Sequence, residues 1–371
     1  YLMYYKKFHE YEISALGIGS LRLPAKCNEP NIIDRQKAQK VLDHALECGI
    51  NYIDTAYTYH NGDSERFLGE ALKKYPRDSY YLASKFYVAA NPDIECVFED
   101  QLKRLKTDYL DFYLLHGVDE NSIDAFMDKG RDYIGFLEKQ KKAGRIRYYG
   151  FSSHAAPETL TRFLTWHDKF DMALIQLNYL DWDLLDAKMQ YEILTEHHIP
   201  IWVMEPLKGG RLSTLNQKAA DILKTAAPDR SLSSWAFRFL MGLPNVQTVL
   251  SGMASITQVQ DNAKTFGHCD PLNEKEYNIL RSAKAVFMDD LGVPCSGCRY
   301  CCEYCPVKLD IPLLIKGYNE QKVSGELWRI AEISNLLHGP KDCQQCGRCM
   351  EHCPQKIDIP AVMQSMMDTS Q

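Results

Sequence analysis

The chain has 371 residues, 25% of them charged, and a formal net charge of −6 at neutral pH. That mixed-sign, mildly acidic balance contains no basic stripe and argues against nucleic acid or an anionic membrane as the main partner. No apolar run approaches the ~18 residues that a spanning helix needs, and 45% hydrophobic content is that of a globular protein well supplied with core.

The first stretch, "YLMYYKKFHEYEIS", has no apolar secretion segment, so a cytoplasmic setting is expected; an anaerobic one is expected as well. Its alternation reads as a short hairpin. Short apolar runs then recur: "ALGIGSL", "GINYIDTA", "YYLASKF", "LDFYLLH", "RIRYYGFSS", "ALIQLNY", "IPIWVME" and "VQTVLSG". Amphipathic helical stretches separate them, such as "DRQKAQKVLDHALECG", with Asp34 placed as N-cap and Gly49 just past the end. Strands alternating with helices give parallel pairing with crossovers, and eight such units over ~250 residues point to an α/β fold of the (β/α)8 TIM-barrel type. The alternative, a doubly wound open sheet, expects G-x-G-x-x-G after the first strand, which "LGIGSLRLP" lacks. Residues 1–288 are assigned to this barrel and 289–371 to a small, helix-rich C-terminal domain.

In such a barrel, chemistry sits where strands end and βα loops begin. Asp54 ends "NYID", Tyr59 follows five residues later, Lys85 ends "YYLASK" and His116 ends "LDFYLLH". Each alone reads as a cap or a satisfied core group. Together, at three successive strand ends, they form a candidate proton-transfer group.

The region from Leu16 to Phe266 resembles the aldo-keto reductase family, through "LGIGSLRLP", "GINYIDTAYTYHNGDSERFLGEALK", "LKRLKTDYLDFYLLHGVD", "GRIRYYGFSSHA" and "VLSGMASITQVQDNAKTF". The resemblance implies a catalytic tetrad of Asp54, Tyr59, Lys85 and His116, with Tyr59 as general acid or base. A nearby ammonium favours phenolate, so Lys85 is expected to bring the Tyr59 pKa down. The resemblance also implies NAD(H) or NADP(H), with Ser152 and Gln176 at the carboxamide and Gly209 and Gly210 at the pyrophosphate. The pattern departs elsewhere. Met204 stands where an aromatic residue usually stacks on nicotinamide, and Glu205 is an anion near the phosphate position. Gly252 and Gln258 stand where basic residues usually meet a 2′-phosphate, so NADH is expected to be preferred or unselected.

Beyond the eighth strand, "DPLNEKEYNILRSAKAVFMDDLGVP" looks helical and leads into Cys295. Nine of the thirteen cysteines follow. Cys27, Cys48, Cys96 and Cys269 are scattered and read as small core residues. Without a secretion signal, clustered cysteines point to metal or redox chemistry rather than disulfides. Cys295, Cys298, Cys301 and Cys305 fall in a C-x-x-C-x-x-C-x-x-x-C-P run, and Cys343, Cys346, Cys349 and Cys353 repeat it. Zinc is the rival metal, but zinc ribbons use two separated pairs. The runs resemble bacterial ferredoxins with two [4Fe–4S] clusters. The resemblance implies that Cys295, Cys298, Cys301 and Cys353 hold one cluster and Cys343, Cys346, Cys349 and Cys305 the other. Cys302 is the spare, with Met350 in its place in the second run. Asp310 and Asp358 precede Ile-Pro as helix starts, and "YNEQKVSGELWRIAEISNLL" has helical periodicity.

Three readings follow. The first is a reductase of carbonyl-type small molecules, or an alcohol dehydrogenase, in which a nicotinamide serves the barrel and the clusters exchange electrons with a ferredoxin-like partner. In the second, nicotinamide has been lost and the clusters feed the substrate. In the third, the chain is a redox-sensing or electron-transfer subunit with little turnover. Clusters pass single electrons and nicotinamide passes a hydride, an interface normally made by flavin. No flavin motif is seen, and flavin is left open. His197, His198 and His268 are read as surface and linker residues.

Overall fold

The structure is a computed structural model describing residues 2–369 apart from 28, 296, 298, 327–329 and 354; the side chains of 30, 31, 290, 300, 331 and 369 are not described. The chain groups into two compact units, 1–207 with 233–273, and 208–232 with 274–371.

The first unit opens with the hairpin β1 (Tyr5–Phe8) and β2 (Tyr11–Ser14). Then comes β3 (Leu16–Gly19), and a second small hairpin of β4 (Ala25–Lys26) and β5 (Glu29–Ile33). The remaining strands are β6 (Tyr52–Asp54), β7 (Tyr81–Phe86), β8 (Leu110–Val118), β9 (Ile146–Ser153), β10 (Met172–Gln176), β11 (Ile201–Met204) and β12 (Val246–Ser251). They close in the order β10-β11-β12-β3-β6-β7-β8-β9, every neighbour parallel. This is the (β/α)8 barrel expected, and closure rules out the open sheet.

The first hairpin plugs the barrel, because Phe8 and Ile13 join a buried cluster with Tyr52, Phe112, Leu174 and Trp202. Phe8 meets Trp202 edge-on at 5.1 Å between ring centroids. Burying an Ile or Phe side chain stabilises by about 1.5–3 kcal/mol, so these two residues are enough to seat the hairpin.

The helix Arg35–Glu47 starts where Asp34 accepts from the Lys37 amide, and Gly49 follows it at φ 90°. Helices Asp63–Ala71 and Ile94–Leu105 approach closely at Gly69, where a Cβ would lie 2.2 Å from the Arg104 carbonyl oxygen. Only glycine fits there.

In the second unit, the helix Gln217–Ala226 packs on Glu274–Leu291, the segment read as helical before Cys295. The cysteine runs repeat structurally as well as in sequence. Cys343 lies 48 positions after Cys295, and the short helices Tyr300–Glu303 and Arg348–Glu351 keep that offset. So do the positive-φ positions Gly297 and Gln345, Arg299 and Gly347, and Lys308 and Lys356. Asp310 accepts from the Leu313 amide and Asp358 from the Ala361 amide, capping Ile311–Ser324 and Ile359–Thr369.

Two expectations are corrected. Helical periodicity continues past Ser324, but Gly325 takes φ 79° and ends the helix; a 3-10 turn, Ala331–Asn335, occupies part of the remainder. Of the scattered cysteines only Cys48 is buried; Cys27, Cys96 and Cys269 are exposed. Cys96 lies off the buried face of its helix, which Ile94, Val97, Phe98 and Leu102 occupy, while Cys27 and Cys269 sit in connections. His197, His198 and His268 are exposed, as expected. No helix among the described residues is long and apolar enough to cross a membrane.

Candidate active site and cysteine cavities

Three strands bring the predicted tetrad together. Asp54 is the last residue of β6, Lys85 the penultimate residue of β7, and His116 lies near the end of β8. Tyr59 opens a 3-10 turn, Tyr59–Gly62. His60, Asn61 and Gly62 follow it at φ 51°, 56° and 83°. Left-handed backbone costs a non-glycine residue about 1–2 kcal/mol. It persists here because the turn is pinned, in part by Arg66 donating to the Gly62 carbonyl at 3.0 Å.

Lys85 organises the group. Its Nζ donates to Asp54 Oδ1 at 2.5 Å, to the Thr55 carbonyl at 2.7 Å and to the Tyr59 hydroxyl at 3.4 Å. It also lies 4.8 Å from the Tyr59 ring centroid. The His116 and Tyr59 rings meet edge-on at 5.9 Å, and Tyr87 flanks His116 at 5.5 Å.

Burial opposes the charge on Lys85, but Asp54 and then Tyr59 more than offset it, holding the ammonium above the ordinary lysine range. Burial pushes the Tyr59 phenol up; Lys85 pulls it back, while Asp54 and Glu205 raise it further, leaving it above the usual tyrosine value. This corrects the expectation of a depressed phenol: Lys85 acts in the direction foreseen, and desolvation wins. Burial, then Lys85 and His154, hold the His116 imidazole well below the usual histidine range. The site therefore holds a protonated phenol beside a neutral imidazole, a donor set suited to a carbonyl oxygen.

Behind Lys85 lies a buried network that sequence reasoning missed. Gln101 Nε2 donates to the Lys85 carbonyl at 3.1 Å, to Glu65 Oε1 at 2.6 Å and to Ser84 Oγ at 2.9 Å. Ser84 Oγ donates to Glu65 Oε1 at 2.6 Å, and Tyr113 donates to Gln101 Oε1 at 2.7 Å. Arg104 reaches Glu65 Oε2 at 3.3 Å. These side chains fix the backbone that aims Lys85.

The residues matched to a nicotinamide are spread over both units. Ser152, near the end of β9, accepts from the Gly117 amide at 2.9 Å. Gln176, at the end of β10, donates to Asp181 at 2.8 Å, and its Oε1 is buried without a partner among the described residues. A carboxamide N–H would satisfy that acceptor, so this part fits. Gly209 and Gly210 belong to the second unit, at φ 64° and 99°. Glu205 is held at φ 53°, its carbonyl accepting from the buried Asn178 at 3.0 Å. Gln258 spends its side-chain oxygen on the Ala254 amide at 2.7 Å. At Gly252 the neighbouring side chain is Arg22, whose Cβ lies 2.9 Å from where a Cβ would stand. Arg22 is thus a cation at a position the sequence reads as uncharged; no linear motif links residues so far apart.

The cysteines divide between two small cavities of the second unit. Cys295, Cys301 and Cys353 line one. Cys305, Cys343, Cys346 and Cys349 line another. Cys298 lies outside the described residues. Burial and the neighbouring cysteines push the Cys301 thiol up to about 12, and burial pushes Cys349 up to about 11. Thiolates in such apolar walls need a cationic core, so the donor set fits iron–sulfur. Cys302 lines neither cavity.

Comparison with known proteins agrees with this division. Residues 15–285 match the model of the aldo/keto reductase family, and residues 294–357 that of a 4Fe-4S dicluster domain. The uncharacterized oxidoreductase YqkF of Bacillus subtilis (strain 168) is 28% identical over 309 residues, 74% of this chain and 93% of that protein. The NADH-specific methylglyoxal reductase of Escherichia coli (strain K12) is 27% identical over 224 residues, 54% of this chain and 66% of that protein. Among solved structures, aldo-keto reductase AKR11C1 from Bacillus halodurans (holo form) superposes with a TM-score of 0.62 at 30% identity, covering 76% of this chain and 96% of that one. The chain belongs to the aldo/keto reductase family, as an oxidoreductase barrel followed by a ferredoxin-like 4Fe-4S domain.

Proposed function

We propose that the protein reduces a carbonyl-type small molecule, or oxidises the corresponding alcohol, at the Tyr59 site. The observation that carries this reading is the single ammonium of Lys85 bonded to both Asp54 and Tyr59, with the neutral His116 ring alongside. His116 orients the carbonyl oxygen and Tyr59 gives it a proton, general acid catalysis worth roughly 10²–10⁴-fold. Lys85 steadies the phenolate left behind, and Asp54 fixes Lys85.

Nicotinamide, when bound, supplies a hydride to the carbonyl carbon. Its carboxamide would be held by Ser152 and Gln176 and its pyrophosphate by Gly209 and Gly210. The name of the E. coli relative, an NADH-specific reductase, supports this choice. The eight cysteines Cys295, Cys298, Cys301, Cys353, Cys305, Cys343, Cys346 and Cys349 are the proposed ligands of two [4Fe–4S] clusters, which supply one-electron exchange with a ferredoxin-like partner in the cytoplasm.

A second reading is favoured by Glu205, whose negative charge raises the Tyr59 phenol and which the family resemblance would put near a cofactor phosphate. In that reading the ferredoxin-like partner would supply two electrons through the cysteine-held centres, Tyr59 would give one proton to the oxygen, and solvent would give the second to the carbon. Anaerobic spectra with NADH separate the two. Bleaching of the cluster absorption, or NADH oxidation on adding an aldehyde, supports the first. Substrate reduction by chemically reduced protein without nicotinamide supports the second. Neither outcome would leave a redox-sensing subunit.

A further inference from the structure

The helix Ile311–Ser324 has two roles along its length. Its first turns wall the cysteine cavities, with Ile311 lining both and Ile315 the first. Further along, two adjacent residues make polar contacts away from the cavities. Asn319 donates to the Val293 carbonyl at 2.9 Å and accepts from the Val293 amide at 2.6 Å, gripping the backbone two residues before Cys295. Glu320 accepts from Lys208 Nζ at 2.5 Å, and both side chains are fully buried.

Lys208 begins the loop that follows β11 in the chain. It takes φ 46°, and Gly209 and Gly210 continue in the left-handed region. A side chain rarely adopts that conformation unless its surroundings impose it. Here the Lys208 ammonium is drawn into the unit's interior by the Glu320 carboxylate. Ser213 Oγ donates to the Gly210 carbonyl at 2.6 Å and fixes the far side. Among the described residues a Cβ at Gly210 would meet only Ser213 Oγ, at 3.9 Å, so the backbone there is approachable.

We infer that Glu320, acting through Lys208, is a positioning residue for the Gly209–Gly210 loop, so that within the second unit the helix walling the metal cavities also sets the shape of this loop. Lys208 is an anchor and not a phosphate ligand, because its charge is already matched by Glu320. The inference rests on the reading that Gly209 and Gly210 meet a dinucleotide's phosphates. It assigns to the iron–sulfur module a part in ligand binding, separate from electron supply.

The test uses the full chain, purified anaerobically with its clusters, and ADP-ribose as a redox-silent probe in calorimetry. Glu320→Gln should keep its iron and cluster absorption, yet weaken ADP-ribose binding at least tenfold and raise KM for NADH with kcat nearly unchanged. Lys208→Met combined with Glu320→Leu removes both charges while filling the space, and should return binding to within about threefold of wild type. Wild-type affinity in iron-replete Glu320→Gln would overturn the inference. So would a double variant that binds as poorly as Glu320→Gln, since Lys208 would then be a ligand. If wild type binds neither ADP-ribose nor NADH, it is the nicotinamide reading that fails. Hydrogen exchange then decides: Glu320→Gln should speed amides 209–212 at least tenfold with residues 312–318 unchanged, and unaltered exchange at 209–212 would sink the positioning role.

Discussion

Lys85 Nζ lies 3.4 Å from the Tyr59 hydroxyl oxygen while its shorter bond, 2.5 Å, goes to Asp54. The cation thus holds its carboxylate tightly and the phenol by a longer hydrogen bond and its field. Tyr59→Phe removes the transferable proton and little else. Carbonyl turnover should fall by roughly 10²–10⁴-fold, with the circular dichroism and cluster spectra of wild type. Full activity in this variant would show that the tetrad has no catalytic part.

The pH profile follows from the direction of two shifts. Tyr59 is raised, so the phenol stays protonated through the neutral range, and His116 is lowered, so the imidazole stays neutral there. Carbonyl reduction should be flat from mildly acidic to mildly alkaline pH and decline only as pH passes the raised Tyr59 value. Alcohol oxidation, which needs the phenolate, should climb over the same alkaline range. Lys85→Met removes the group that pulls the phenol down and should move the alkaline limb further up or abolish turnover. A reductive limb centred near neutrality would contradict this assignment.

Gln101 ties Glu65, Ser84 and the Lys85 carbonyl together in a fully buried place. Replacing it with Leu strands those partners at about 1–3 kcal/mol. Chemical denaturation should register that loss, and kcat should drop more than KM rises because Lys85 is no longer aimed. A variant of wild-type stability would mean that the partners find other bonds.

The two cavities make the fourth cysteines testable separately. Anaerobic protein should hold about eight iron and eight acid-labile sulfide, as two cubane clusters require. Cys353→Ser should disturb the centre of the first run and Cys305→Ser that of the second, each halving the iron count or changing one of two EPR signals. Cys302→Ser should change neither. A loss confined to the run containing the mutated cysteine would refute the crossed arrangement.

With neither Gly252 nor Gln258 itself basic, NADH should bind at least as tightly as NADPH. Arg22, packed against Gly252, is a cation that would reverse this if it meets a 2′-phosphate. Fluorescence titration of both nucleotides against wild type and Arg22→Ala decides it. Selective NADPH binding would disprove the preference, and its loss in Arg22→Ala would identify the residue responsible.

The barrel was readable because parallel strands buried on both faces are short apolar runs, and the tetrad because Asp54, Lys85 and His116 end such runs and Tyr59 follows in the loop after the first. What escaped was whatever depends on three-dimensional proximity or on desolvation. Glu65, Ser84, Gln101 and Arg104 are ordinary helix and strand residues until folding stacks them under Lys85. Arg22 and Gly252 come from opposite ends of the barrel sequence. The charges around Tyr59 are visible in the sequence, but the burial that outweighs Lys85 is not. Gly325 shows the opposite failure, where an apolar period runs on through a residue whose backbone turns the chain away.

Ile311 and Ile359, equivalent positions of the two repeats, stand in the walls of both cysteine cavities. The partition between the two cavities thus includes a pair of aliphatic side chains, too thin to insulate one unpaired spin from another. Fully reduced protein should show an EPR spectrum broadened by mutual spin coupling rather than a simple sum, so the two signals become separable only in variants that lose or alter one centre. Thermodynamically, the first electron should make the second harder to add, so the chain would discharge as a graded two-step capacitor and not as two independent cells.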